Sequence, residues 1–471
     1  MDNLEICCMS VAEMADAIKT KKISPVEVME VVLRRIEQLN PKVNAYCIVV
    51  AESAMRQAKD AETMVMRGKE LGPLHGVPIS IKDLIFTKGI RTTGGSKIYK
   101  DFVPQQDAIV VERLRAAGAI VIGKTNTPEF GWLGVTKNEL FGVTRNPWNL
   151  EVTPGGSSGG AAAAVALGMG PLAIGTDVGG SIRIPSSFCG VFGFKHSFGR
   201  VPQLVGFPPG METLSHTGPI TRTVRDAALT MEVIAGRDDR DPFSLPETGL
   251  SYLPFLGGDL KGLKVAWSKD LGYAIVDAQV LRATETAAKA FTILGASVEE
   301  ASPKATSPEK SFATIVTTRL GAAFKDKIGA WEEQVEPLLA GFIERGRAKS
   351  AEEYMQACFD RLEYWEKIRT FFEKYDLLLT PTLAVPPFAI DSFGPRVIDG
   401  VKVTAFGWWQ FTYPFNLTGL PAASVPCGSS DDGLPIGLQI VGRRFDDVTV
   451  LKAAAAFEQA LPWVDKRPPL E

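Results

Sequence analysis

Residues 153–166 read TPGGSSGGAAAAVA, and a little further on residues 175–190 read GTDVGGSIRIPSSFCG. Glycine pairs bracket Ser157 and Ser158 in the first stretch and precede Ser181 in the second. Glycines next to a serine fit a phosphate cradle, a nucleophile elbow, or a turn that gathers backbone amides around a hydroxyl. Gly155 to Gly159 matches the elbow pattern G-x-S-x-G. That elbow needs an apolar strand before the serine and a histidine late in the chain. Here a turn-rich NPWNLEVTP precedes it, and no histidine follows His216. Gly118 to Thr125 matches the cradle pattern G-x4-G-K-[ST], which needs a flexible loop between its glycines. Its middle residues, Ala119 to Ile122, are strand formers instead, and Pro128 breaks the helix that should follow.

The second stretch gives the glycines a chemical use. Val178-Gly179-Gly180-Ser181 can turn several N–H groups toward one point beside the serine hydroxyl, which is how an oxyanion hole is built. A helix beginning just after it adds partial positive charge. The hydroxyl still needs a base, and the chain holds three histidines, His75, His196 and His216, all far apart. A desolvated lysine is the remaining candidate. Lys82 ends the apolar run VPISIK, between Ile81 and Leu84, and strand ends are where α/β folds place their sites. Bringing a lysine from about 10.4 to near 7–8 takes roughly 3–5 kcal/mol of desolvation and local field.

Outward from this centre the pattern is α/β. Capping boxes are expected at Ser10/Glu13 and Ser24/Glu27, the second with proline at the first helical position. A further helix is expected over 51–69. Strands read at 77–82, 119–122, 171–175 and 191–195 alternate with helices over 107–118, 158–168 and 224–235, which argues for a largely parallel sheet. Residues 277–375 read as consecutive helices, the last capped by Ser350 and Glu353. Strands return at 376–382, 422–428 and 436–442, before a helix over 447–461. The expected organisation is a single domain, 1–471: N-terminal helices (1–70), a core carrying the glycine–serine segments (71–270), a helical insertion (271–375) and strands completing the sheet (376–471).

The 471 residues are 45% apolar and 22% charged, with a net charge of −3. This composition supports a large core and offers no electrostatic footprint for nucleic acid or an anionic membrane. The N-terminus lacks the basic and apolar regions of a signal peptide, and no apolar run is long enough to span a bilayer. Six cysteines without a CxxC pair, together with scattered histidines, suggest reduced thiols and no metal site. The expectation is a cytoplasmic protein, monomer or homodimer, without cofactor.

The quoted segments, with GVPISIKD at 76–83, resemble the amidase signature family in motif and spacing, Ser181 following Ser157 by 24 residues. GAIVIGKTNTPEF, GPITRTVRDAA and PFNLTGLPAASVPCG are also similar, so the resemblance covers residues 10 to 460. It implies the amidase-signature fold, a large twisted, mostly parallel mixed sheet covered by helices on both faces, with a helical insertion. It implies a triad in which Lys82 is the base, Ser157 the bridging serine after a cis peptide bond, and Ser181 the nucleophile. The oxyanion hole would use the N–H groups of Val178, Gly179, Gly180 and Ser181. Ser158 would support the lysine, and Asp177 with Arg183 would brace the loop. The sequence departs from the family's Gly-x-Lys-Pro at Gly193-Phe194-Lys195-His196, a turn away from the triad; His196 and His75 read as packing residues.

The implied reaction is hydrolysis of a small-molecule carboxylic amide, aryl amide or carbamate through a Ser181 acyl-enzyme. Two alternatives stand beside it: the ammonia-supplying A chain of glutamyl-tRNA(Gln) amidotransferase, and a non-catalytic binding protein of the same fold. The amidotransferase chain usually has Gly-Ser-Asp and a glutamine after the signature arginine, where this chain has Thr176 and Ile184. Ile184 also offers no polar group to glutamine. Retention of Lys82, Ser157 and Ser181 speaks against a non-catalytic role. Aromatic residues in EFGWL and AFGWWQFTYPF suggest an apolar pocket, with Phe130, Trp132, Trp408 and Trp409 as candidate substrate contacts.

Overall fold

The computed structural model describes residues 2–470 apart from 205, 209–212, 247, 248, 250 and 326–333. Four helices begin the chain: α1 (Asn3–Cys8), α2 (Val11–Lys19), α3 (Pro25–Val43) and α4 (Ala51–Met66). Ser10 and Glu13 close the expected capping box on α2. Ser24 caps α3 through the Val26 amide, but Glu27 does not complete the box. The Ser24 hydroxyl binds Glu62 on α4 instead, so a tertiary partner takes the role of the local one.

One eleven-stranded sheet organises the rest. Its strands are β1 (Tyr46–Val49), β2 (Pro78–Lys82), β3 (Ile120–Thr125), β6 (Leu172–Asp177), β7 (Phe192–Lys195), β8 (His216–Thr221), β9 (Lys264–Trp267), β10 (Ser297–Glu300), β11 (Leu377–Pro381), β14 (Ala422–Ser429) and β15 (Pro435–Gly442). Two small hairpins stand apart from it, β4 (Lys137–Asn138) with β5 (Gly142–Val143), and β12 (Val397–Ile398) with β13 (Val401–Lys402). Strand order is β1-β3-β2-β6-β8-β7-β14-β15-β11-β9-β10. The sheet is mixed, as the resemblance implies. Parallel pairing holds in two flanking triplets, β3-β2-β6 and β11-β9-β10. The remaining neighbours are antiparallel and outnumber them, because β14 and β15 form a hairpin and β8 runs back between β6 and β7.

Helices cover both faces. Along β11, Leu377 and Leu379 enter one hydrophobic cluster and Leu378 enters another, as period-two alternation requires. The other helices are α5 (Ile109–Ala116), α6 (Gly159–Ala166), α7 (Arg183–Cys189), α8 (Val224–Ile234), α9 (Ala278–Ile293), α10 (Glu309–Ala323), α11 (Pro337–Arg347), α12 (Ala351–Phe371), α13 (Pro414–Leu417) and α14 (Asp447–Ala460). The helical stretch expected over 277–375 also contains a strand. β10 pairs parallel with β9 across α9 and extends the sheet edge. Its sequence, SVEE, is too polar to announce itself. Part of that stretch, 326–333, lies outside the described residues.

Candidate active site

The site forms at one end of the β2–β6 pair. These strands run parallel, Ile81 opposite Ile174, so their C-terminal residues Lys82 and Asp177 emerge on the same side. The segment that matched the phosphate-cradle pattern is β3, and its Lys124 is buried beneath the loop after β2. Ser157 and Ser158 precede α6, a helix of small residues buried on every face and therefore packed within the core. Gly155 holds φ +77°, and a Cβ there would lie 2.9 Å from Ile184. Glycine is what lets this turn approach the next helix. The Gly156–Ser157 peptide bond is cis.

Lys82 is fully buried. Its Nζ lies 2.6 Å from Ser157 Oγ, 2.9 Å from Ser158 Oγ and 2.9 Å from Thr176 Oγ1. Burial pushes the amine well below the ordinary lysine range, and the Asp177 carboxylate pulls upward without cancelling it. A neutral amine has two N–H donors and one lone pair. Ser158 directs its own proton to the Thr176 carbonyl at 3.2 Å, so it accepts from the lysine. With Thr176 as the second acceptor, the lone pair of a neutral Lys82 would face the Ser157 hydroxyl.

Ser181 lies between β6 and α7 on the wall of a cavity of about 520 Å³. Ser157, Thr176, Val178 and Gly179 share that wall. The N–H groups of Val178, Gly179 and Ser181 have no protein acceptor among the described residues. Gly180 differs from the oxyanion expectation: its N–H donates to Asp177 Oδ1 at 2.7 Å and is turned inward. Asp177 also pairs with Arg183, 2.9 Å away, both fully buried. Burial would raise the Asp177 carboxyl, but the Arg183 guanidinium holds it well below the usual range. Arg183 also donates to the Thr412 carbonyl, Gln439 Oε1 and Asn416 Oδ1. The pair therefore ties the loop to the core, and neither residue is on the cavity wall.

Of the four expected aromatic contacts, Phe130, Trp132 and Trp409 line the cavity. Trp408 does not. It is 2% exposed, stacked on Phe188 and set edge-on to Phe388. The short helical turn Gly407–Trp409 sends adjacent indoles in different directions, one to the core and one to the cavity. Ile184 is also in the core, against Gly134 and Gly155, so its polarity says nothing about substrate. Phe312 and Trp409 lie beside Gly179, and Phe130 and Trp132 flank Gly131, which touches Ser157. Aromatic side chains thus form part of the wall of the cavity that the serines share.

The histidines are structural. His75 bonds the Ala61 carbonyl, His196 the carbonyls of Ser197 and Thr217, and His216 the Leu214 carbonyl. Among the described residues no three His, Cys, Asp or Glu side chains are grouped to hold a metal ion. No helix of those residues is long and apolar enough to cross a membrane. The sequence marks Thr176 only as a departure from the amidotransferase pattern and not as a partner of Lys82, and it does not single out Thr412, Asn416 or Gln439. Gln439 does leave a trace, as the one amide side chain in the apolar run IGLQIVG.

A dry lysine meeting serine hydroxyls, next to unpaired backbone amides and a cavity, is an arrangement suited to nucleophilic acyl transfer. Comparison with known proteins agrees with this class. The Amidase family profile matches residues 27–451, and the chain belongs to that family. It is 41% identical to an acylamidase of Rhodococcus erythropolis, over 98% of this chain and 97% of that one. It is 39% identical to the A chain of the glutamyl-tRNA(Gln) amidotransferase of Carboxydothermus hydrogenoformans, covering 99% of this chain and all of that one. Among solved structures, a bacterial aryl acylamidase of the amidase signature family superposes with a TM-score of 0.90 at 36% identity, covering 97% of this chain and 98% of that one. A 6-aminohexanoate cyclic dimer hydrolase gives 0.88 at 32%, covering 98% and 99%.

Proposed function

We propose that the protein is an amidase that hydrolyses a small, uncharged carboxylic amide bearing an apolar or aryl group. Ser181 attacks the amide carbon. Its proton passes to Ser157 as that serine's proton passes to neutral Lys82. The N–H groups of Val178, Gly179 and Ser181 receive the oxyanion. The C–N bond then breaks, Ser157 returns a proton to the leaving amine, and water hydrolyses the Ser181 ester to a carboxylate. The observation that carries this reading is the 2.6 Å contact of Lys82 with Ser157 at the wall of the cavity that holds Ser181.

Support for an apolar substrate comes from Phe312, Trp409, Phe130 and Trp132 around the serines and from the acylamidase relatives. The amidotransferase A chains form the second reading, favoured by their own similarity over nearly the whole chain. A panel of anilides, primary amides, carbamates and glutamine, assayed without a partner protein, separates the two. Turnover of anilides with none of glutamine is the expected result. Glutamine as the sole substrate would favour the second reading.

A further inference from the structure

The oxyanion loop runs through Gly179-Gly180, a pair with no Cβ on either side of its peptide bond to resist rotation of that peptide plane. Something outside the pair must therefore set the plane, and both of its polar ends have partners. The Gly180 N–H donates to Asp177 Oδ1 at 2.7 Å. The Gly179 carbonyl accepts from Thr412 Oγ1 at 2.6 Å. Thr412 lies 233 residues away in sequence, fully buried, in the segment FTYPF. Its hydroxyl can also reach the Trp409 carbonyl, at a longer 3.0 Å. The threonine presses on the turn as well: a Cβ at Gly180, where φ is +132°, would lie 2.4 Å from Thr412 Oγ1.

We infer that Thr412 is a positioning residue for the oxyanion loop, setting the Gly179–Gly180 peptide so that its carbonyl points away from the reacting centre. The inference rests on the amidase reading of the site. With the Gly179 carbonyl held by Thr412, the neighbouring N–H groups of Gly179 and Ser181 remain available on the cavity side. Released from Thr412, the plane is free to turn, and a carbonyl swung to the cavity side would set its negative end against the developing oxyanion. Thr412 acts through the loop and meets no substrate. Its effect falls on the transition state, where the oxygen carries charge, more than on the bound amide.

Thr412→Val keeps the shape and removes the hydroxyl; Thr412→Ser keeps the hydroxyl and removes the methyl. The expected result for T412V is a fall in kcat of about 10²-fold, the scale of losing one oxyanion donor, with KM within about threefold. A trifluoromethyl ketone inhibitor should weaken in parallel with kcat/KM, and T412S should recover kcat to within a few-fold of wild type. Melting temperatures of both variants separate this from unfolding. If T412V does not fold, T412A against T412S makes the same comparison. Equal kcat with and without the hydroxyl, or a loss carried by KM, overturns the inference. A wild-type protein that turns over no amide overturns the amidase reading instead.

Discussion

Lys82 and Lys124 occupy adjacent places on neighbouring parallel strands, Lys124 pairing in register with Ile81. Both are fully buried. Their partners separate them. Lys124 binds the Ile85 carbonyl, Thr87 Oγ1 at 2.9 Å and Thr92 Oγ1 at 3.1 Å, with the Asp83 carboxylate nearby. Burial lowers it to about 8, so it remains mostly an ammonium at neutral pH. Lys82 meets three hydroxyls, and burial takes it well below its ordinary range. The Ile85 carbonyl can only accept a hydrogen bond, and the Thr87 and Thr92 hydroxyls give their protons to the Ile85 and Ile90 carbonyls, so all three accept from Lys124, whereas the Ser157 hydroxyl beside Lys82 can give its own. Two lysines of equal burial are thereby suited to different work: Lys124 ties the loop after β2 to the sheet, and Lys82 can serve as a base at the cavity.

Substitution should pull the two apart. The largest effect is expected at Lys82, where Lys82→Ala should lower kcat by about 10⁴–10⁶-fold, as for a member of a catalytic unit, in a protein that still folds. Lys124→Met should act on stability, lowering it by about 3–5 kcal/mol in chemical denaturation because Asp83 loses its counter-charge, with the rate per folded molecule little changed. A large kcat loss at Lys124 in folded protein would erase the contrast.

The pH profile sharpens it. In the proposed mechanism the base form of Lys82 is the active one, and its range is depressed, so kcat should rise with pH through the lowered value and fall as acid protonates the amine. The rising limb should therefore lie below about 10.4, the ordinary lysine value. A limb at that ordinary value would mean that burial does not neutralise Lys82.

Trp408 in the core and Trp132 on the cavity wall give a smaller contrast of the same kind. Trp408→Ala should cost about 3–5 kcal/mol of stability, as a buried indole removed from a packed core. Trp132→Ala, on the cavity wall, should raise KM for an anilide about tenfold, equivalent to about 1.4 kcal/mol, with little change in melting temperature. Smallest of all, His75→Ala should leave kcat within a few-fold, since among the described residues its ring bonds only the Ala61 carbonyl.

Much of this site was legible in the sequence because its elements are local. Lys82 ends an apolar strand, and glycines mark the turns at Ser157 and Ser181, so period and turn chemistry point to Lys82 and Ser181, while the bridging place of Ser157 is given only by the family resemblance. The sheet's antiparallel centre was not legible, since pairing β7 with β14 depends on chain segments more than two hundred residues apart. The same distance hid the loop's supports, Thr412, Asn416 and Gln439, whose partners are named only by the fold. Trp408 and Trp409 are adjacent and identical, so nothing in composition could say which faces the core. Gly180 shows the finer limit: four successive amides suggest four donors, and only the position of Asp177 reveals that one is already committed.

At the centre of the proposed mechanism, Lys82 would work through Ser157 to make Ser181 the group that carries the acyl chain. Labelling with a fluorophosphonate followed by peptide mass mapping tests it most directly. The predicted result is a single adduct on the peptide containing GGSIR, formed slowly in Ser157→Ala and in Lys82→Ala, and absent in Ser181→Ala. An adduct on the peptide containing PGGSSGG, persisting in Ser181→Ala, would contradict it.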